Sequence, residues 1–215
     1  MAKERSTPLP AALAQFPLRT IRPRDATAVY AHPRTQLARL TEHGVLHRLT
    51  AGYYVVVPQD LVGRPWMPSF EAAAAGIAAA IYGPDNCVVM GVSAARLHGA
   101  IPRALATAII AVPYQHRPIT LADRPATVQF VKRQTHQLDA ELINTELGPA
   151  LVTAPEQTVL DLAHRPALGD AEIDVPTAVA VLYGRCDKER LHTLATDQRR
   201  LSSLRRVEAW VHLQS

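Results

Sequence analysis

Apolar positions fall at helical spacing over residues 9–43 and at strand spacing over 45–57, with turn-forming residues where the spacing changes. Leu9 to Phe16 is expected to form a short helix closed by Pro17. A second helix is expected over Arg22 to Tyr30, with Pro23 tolerated in its first turn. The third, PRTQLARLTEH, opens on Pro33 and stops at Gly44, as at a C-terminal glycine cap. Val45 to Arg48 and Tyr53 to Val57 are β-rich runs joined by Leu49-Thr50-Ala51-Gly52, the pattern of an antiparallel hairpin with glycine in its turn. Together these elements predict a helix-turn-helix followed by a wing.

Residues 58–69, PQDLVGRPWMPS, hold three prolines and a glycine, a composition suited to a stiff connection. Beyond it the periods alternate. Ser69 can cap the alanine-rich helix FEAAAAGIAAAIYG, Cys87 to Gly91 is strand-like, and Ser93 to Gly99 is a short helix with Ser93 as its cap. Thr107 to Val112, Thr127 to Lys132, Glu141 to Glu146 and Leu151 to Val152 are strand candidates. Thr153-Ala154-Pro155-Glu156 has the spacing of a capping box before another helix. Asp174 and Asp187 could cap two more, and Arg199 to Leu213 forms a helical tail. The expected fold class is α+β. A winged helix-turn-helix domain (1–58) is joined through a linker (59–69) to a larger mixed α/β domain (70–215).

At 100° per residue, Leu37 and Leu40 place one stripe of the third helix in the core. The opposite face carries Thr35, Ala38, Arg39 and Glu42, with Arg34 and Gln36 flanking it near the N-terminus. A solvated amphipathic helix has the same pattern. Its setting between a tight turn and a hairpin points instead to a DNA major groove, where Arg pairs with guanine and Gln with adenine. Arg22 and Arg24, at the start of the second helix, and Arg48, beside the wing, are candidate phosphate contacts, or else exposed arginines without a partner.

Charge adds weight to this reading. Residues 1–58 hold eight Lys or Arg against three Asp or Glu, a net of +5. Residues 59–184 hold eight against twelve, and 185–215 seven against four. A cationic N-terminal unit suits a polyanion, since neutralising phosphates releases condensed counterions. Twenty of the 23 basic residues are Arg, a bias that a GC-rich coding sequence would also produce.

Catalytic and metal chemistry find little support. His43 and His47 are four apart, but Gly44 breaks the helix between them, and Ser93 and His98 diverge on one short helix. A nuclease would need clustered carboxylates beside a lysine. Glu141, Glu146, Glu156 and Asp161 are present, but no acidic residue stands two before Lys132 or Lys188 in a strand. No glycine-rich phosphate loop occurs. Cys87 and Cys186 are expected to be buried thiols, His98 a packed or partner-facing residue, and no cofactor or metal is expected. The opening MAKERSTPLP lacks the apolar run of a secretory signal, and no stretch is long and apolar enough to span a bilayer, so a cytoplasmic protein without a membrane partner is expected.

The unit RTQLARLTEHGVLHRLTAGYYVV (34–56), followed by SAARLHG (93–99) and TAPEQTVLDLA (153–163), resembles the AbiEi family of antitoxin transcriptional regulators over roughly residues 20–185. The resemblance implies a non-enzymatic autoregulator whose winged helix binds double-stranded DNA of its own promoter and whose other domain counters a nucleotidyltransferase-type toxin. It assigns DNA contact to Arg34, Thr35, Gln36, Arg39 and Arg48. A DNA-directed nuclease or other enzyme targeted by a winged helix is the alternative, and a protein-interaction adaptor a third. The oligomeric state is left open.

Overall fold

The computed structural model describes residues 11–214. α1 (Ala11–Ala14) is the described part of the first expected helix; Leu9 and Pro10 lie outside the described residues. β1 (Thr20–Ile21) follows, a strand the sequence pattern does not predict. The second expected helix shrinks to a 3-10 turn at Pro23–Ala26. Local hydrogen bonds explain this: Asp25 Oδ2 accepts the Arg22 backbone N–H at 2.8 Å, and the Thr27 hydroxyl donates to the Arg24 carbonyl at 2.8 Å. Short polar side chains here compete with the helical ladder, and β-branched Thr27 and Val29 do little to extend it.

α2 (Pro33–Glu42) ends where Gly44 takes a φ of +67°, as its sequence predicts. The hairpin is β2 (Leu46–Thr50) and β3 (Tyr53–Val56), antiparallel, and β1 adds to the far side of β3 in the order β1-β3-β2. Alternation along this small sheet feeds two cores. Leu46 and Val56 pack with Leu37 and Leu40 of α2, whereas Leu49 and Val55 join the core built around α3 (Phe70–Tyr82).

A six-stranded sheet forms the rest: β4 (Val88–Val89), β5 (Thr107–Val112), β6 (Ile119–Thr120), β7 (Thr127–Lys132), β8 (Ala140–Thr145) and β9 (Gly148–Thr153), in the order β6-β7-β5-β4-β9-β8. The β5–β7 and β4–β9 pairs are parallel and the others antiparallel. Every residue of β5 is buried because both faces of the sheet are covered. Ala108, Ile110 and Val112 face the core of α3. Ile109 and Ala111 face the helical layer of α4 (Gly91–Leu97), α5 (Pro155–His164), α6 (Val175–Tyr183), α7 (Lys188–Asp197) and α8 (Leu201–Gln214). The chain is thus α+β.

Three expected caps are replaced. α4 starts at Gly91, so Ser93 lies inside the helix, and its buried hydroxyl accepts the Ile109 N–H at 2.9 Å. The capping box before α5 does not form. Ala154 is the cap residue, the Thr153 hydroxyl bonds that of Thr158 at 2.8 Å, and Glu156 Oε1 accepts the Asp187 N–H at 2.8 Å. Asp174 pairs with Arg103 rather than with its own helix. Asp187 and Ser69 do cap, α7 and α3 respectively.

Candidate nucleic-acid interface

Burial along α2 follows the expected stripe. Leu37 is 0% and Leu40 1% exposed, while Arg34, Thr35, Ala38 and Arg39 are exposed and Gln36 is half-buried. Among the described residues no element covers the outer face of this helix: Thr35 and Arg39 are exposed.

Folding gathers four of the expected basic residues that are scattered in sequence. Arg22, Arg24, Arg34 and Arg48 line one open groove of about 470 Å³, floored by Pro23, Ala51, Gly52 and Tyr54, where the 3-10 turn, the start of α2 and the hairpin converge. A second groove, of about 430 Å³, continues past Arg24 and Arg34 to Thr27, His32 and Thr35. Gln36 and Arg39 line neither groove and lie further along α2.

The four arginines are not equivalent. Arg22 donates through Nε and Nη2 to Asp25 Oδ2 and Oδ1 at 3.0 and 3.1 Å, a bidentate pair only 16% exposed on each side. Arg24 is 69% exposed and no closer than 3.8 Å to Asp25, and among the described residues Arg48 reaches only the Thr50 carbonyl, at 3.4 Å. Among the described residues the side chains of Arg34 and Arg39 have no hydrogen-bond or ion-pair partner. Asp25 therefore orients Arg22 and leaves the other guanidinium groups available to an anion. Sequence reasoning missed Asp25, although its spacing of three from Arg22 was a usable signal.

The hairpin is fastened to the larger part of the molecule along the free edge of β2. His47 Nε2 lies 2.7 Å from Asp123 Oδ2, the Ala122 N–H donates to the Leu49 carbonyl at 2.8 Å, and the Thr50 hydroxyl donates to the Thr120 carbonyl at 2.9 Å. Trp66 packs edge-on against His47. Burial opposes ionisation of Asp123, but hydrogen bonds from Arg124 and His47 outweigh it and hold the carboxyl below its ordinary range.

The four carboxylates weighed for a nuclease are held by different partners. Glu146 accepts the Ser69 N–H and Glu156 the Asp187 N–H. Asp161, its side chain 1% exposed, receives Arg133 and Arg200 at 3.1 and 2.6 Å, and Glu141 lies 3.9 Å from His98 Nδ1. His98 is packed, its Nε2 2.8 Å from the Thr153 carbonyl. Cys87 and Cys186 are buried, and burial pushes both thiols up to about 12, far from the thiolate form. Among the described residues no three His, Cys, Asp or Glu stand together as a metal cluster, and no helix is long and apolar enough to cross a membrane.

Residues 87–212 match the family model of the AbiEi antitoxin C-terminal domain. No curated protein matches the chain. Among solved structures it is similar to the RV2827C protein from Mycobacterium tuberculosis, with a TM-score of 0.59 and 20% identity, covering 94% of this chain and 75% of that one. That likeness is one of fold.

Proposed function

This chain belongs to the AbiEi antitoxin family, and from that premise we propose that it is the antitoxin of a toxin–antitoxin system that also represses its own promoter. In this reading residues 1–58 are a winged helix-turn-helix that binds double-stranded DNA, 59–69 are the connection, and 70–215 are the antitoxin domain that counters a nucleotidyltransferase-type toxin. The protein performs no catalytic step.

The observation that carries the DNA half is the uncovered outer face of α2 beside the arginine-lined groove. Arg34 and Thr35 sit at the start of a helix, where backbone N–H groups and the helix dipole favour a phosphate. Gln36 and Arg39 follow on the same helix and are the base-reading candidates; Arg22, Arg24 and Arg48 hold the flanking backbone.

The test is a mobility-shift assay of the full chain with the DNA upstream of its own gene, with and without magnesium. A retarded, intact band that weakens steeply with salt is expected. Magnesium-dependent cleavage would favour the enzyme reading, and no shift at all would leave an adaptor. Co-expression with the product of an adjacent nucleotidyltransferase-like gene tests the toxin half, with restored growth as the expected outcome.

A further inference from the structure

We infer that Arg117, outside the unit assigned to DNA, is a backbone-phosphate contact for duplex that runs past the tip of the hairpin. The inference rests on the DNA-binding reading of α2 and extends its footprint onto the antitoxin domain.

As β2 advances toward its turn from His47 through Leu49 to Thr50, its partners step backward from Asp123 through Ala122 to Thr120. The two segments are antiparallel, so the residues before Thr120 lead past the Ala51-Gly52 turn. Their path runs beside β7: Ile119 and Thr120 pair with Val128 and Thr127, and further back the Gln115 side chain donates to the Phe130 carbonyl at 2.8 Å while the His116 ring packs 5.1 Å from that of Phe130. At up to ~3.3 Å per residue, the three residues back from Thr120 can carry Arg117 as much as ~10 Å beyond it, past the end of the hairpin.

Charge and exposure complete the case. Arg117 is exposed, and among the described residues its side chain has no hydrogen-bond or ion-pair partner. Asp123, the acid that follows β6, is already taken by His47 and by Arg124 at 3.0 Å. Gln115 and His116 fix the backbone on one side and β6 on the other, so an unpaired cation is presented from a rigid support. Duplex lying against α2 and the arginine groove would meet this cation as it passes the hairpin.

The experiment measures affinity by fluorescence anisotropy for two duplexes bearing the same site. One is cut at the footprint boundary on the hairpin side and the other runs about ten base pairs, one helical turn, further. The full chain, Arg117→Ala, Arg117→Lys and, as a charge control on α8, Arg205→Ala are compared. The parent should bind the long duplex more tightly than the short one. Arg117→Ala should abolish that difference, weaken long-duplex binding roughly three- to tenfold, and lower the salt slope by about one, with an unchanged thermal midpoint. Arg117→Lys and Arg205→Ala should behave as the parent. Parent-like binding of both duplexes by Arg117→Ala overturns the inference while leaving the α2 reading intact. So does an equal loss on both duplexes with a lowered thermal midpoint. Failure of the parent to bind either duplex removes the α2 reading and this inference with it.

Discussion

His47 and Asp123 are 76 positions apart in the chain, yet their side chains meet at 2.7 Å and close the free edge of the hairpin against the six-stranded sheet. A hydrogen bond to a largely buried carboxylate is worth about 1.5–3 kcal/mol. Asp123→Asn should therefore lower stability by roughly that amount at pH 7, read as a urea midpoint. The carboxyl of folded Asp123 holds its proton less readily than the ordinary value of 3.8. Its stabilisation is complete above that value and is lost as pH falls through the lower folded one. The gap between parent and variant should be wide at pH 7 and should narrow progressively once the pH falls below 3.8 toward the lower folded value; a gap that did not narrow at all in acid would assign the effect to something other than ionisation.

Arg39 and Arg24 should differ in kind. Removing a base contact costs about 1–3 kcal/mol and relaxes sequence preference, whereas removing a phosphate contact weakens all sequences alike and lowers the salt slope by about one. Arg39→Ala is expected to behave in the first way and Arg24→Ala in the second, measured on the promoter site and on scrambled duplex. Unchanged promoter affinity in Arg39→Ala would place that residue off the interface.

Asp25→Ala removes the carboxylate that holds Arg22. Affinity for scrambled duplex should rise, because a negative charge beside Arg22 and Arg24 is removed, while the ratio of specific to non-specific binding falls as Arg22 loses its fixed orientation. A rise in that ratio would contradict the orienting role.

Asp161 is buried between Arg133 and Arg200, which lie just after β7 and just before α8. Asp161→Ala leaves two guanidinium groups without their partner, and about 3 kcal/mol of stability should go with it. A double variant that also carries Arg133→Ala should lose less than the sum of the single changes. Strict additivity by chemical denaturation would show that the pair does not interact.

Gly76 of α3 lies so close to β1 that a Cβ there would sit 2.2 Å from Thr20 Oγ1. Gly76→Ala should be strongly destabilising, and Thr20→Ala should recover part of the loss although it gives up the Thr20 bond to the Leu18 carbonyl. Equal melting temperatures for Gly76→Ala with and without Thr20→Ala would count against the clash.

The elements legible in the sequence are those stabilised by their own residues. α2 runs from Pro33 to the Gly44 cap, and β5 is an apolar run long enough to stand out. β1 and β6 escape notice because two residues have no periodicity and, unlike the two of β4, these do not sit in a longer apolar run. β1 exists because β3 offers an edge, and it follows Leu18 and Arg19, which take positive φ values no pattern signals. The caps at Ser93 and Thr153 fail for a related reason: both hydroxyls are buried, where a tertiary or neighbouring partner replaces the helix N–H. The exposed face of α2 was legible from two leucines. The gathering of Arg22, Arg24 and Arg48 around Arg34, and the fastening of the hairpin by Asp123, depend on chain reversals that spacing does not encode.

β3 gives one side chain, Val55, to the core beneath α3 and the next, Val56, to the core beneath α2. This strand is a party wall. A slip of one position would evict the occupants on both sides at once, and a proteolytic cut that frees the strand would ruin both rooms together. On the function proposed above, grip on the promoter and restraint of the toxin would then lapse in a single event, and degradation of this one molecule would switch on synthesis of its replacement at the moment its protection is lost.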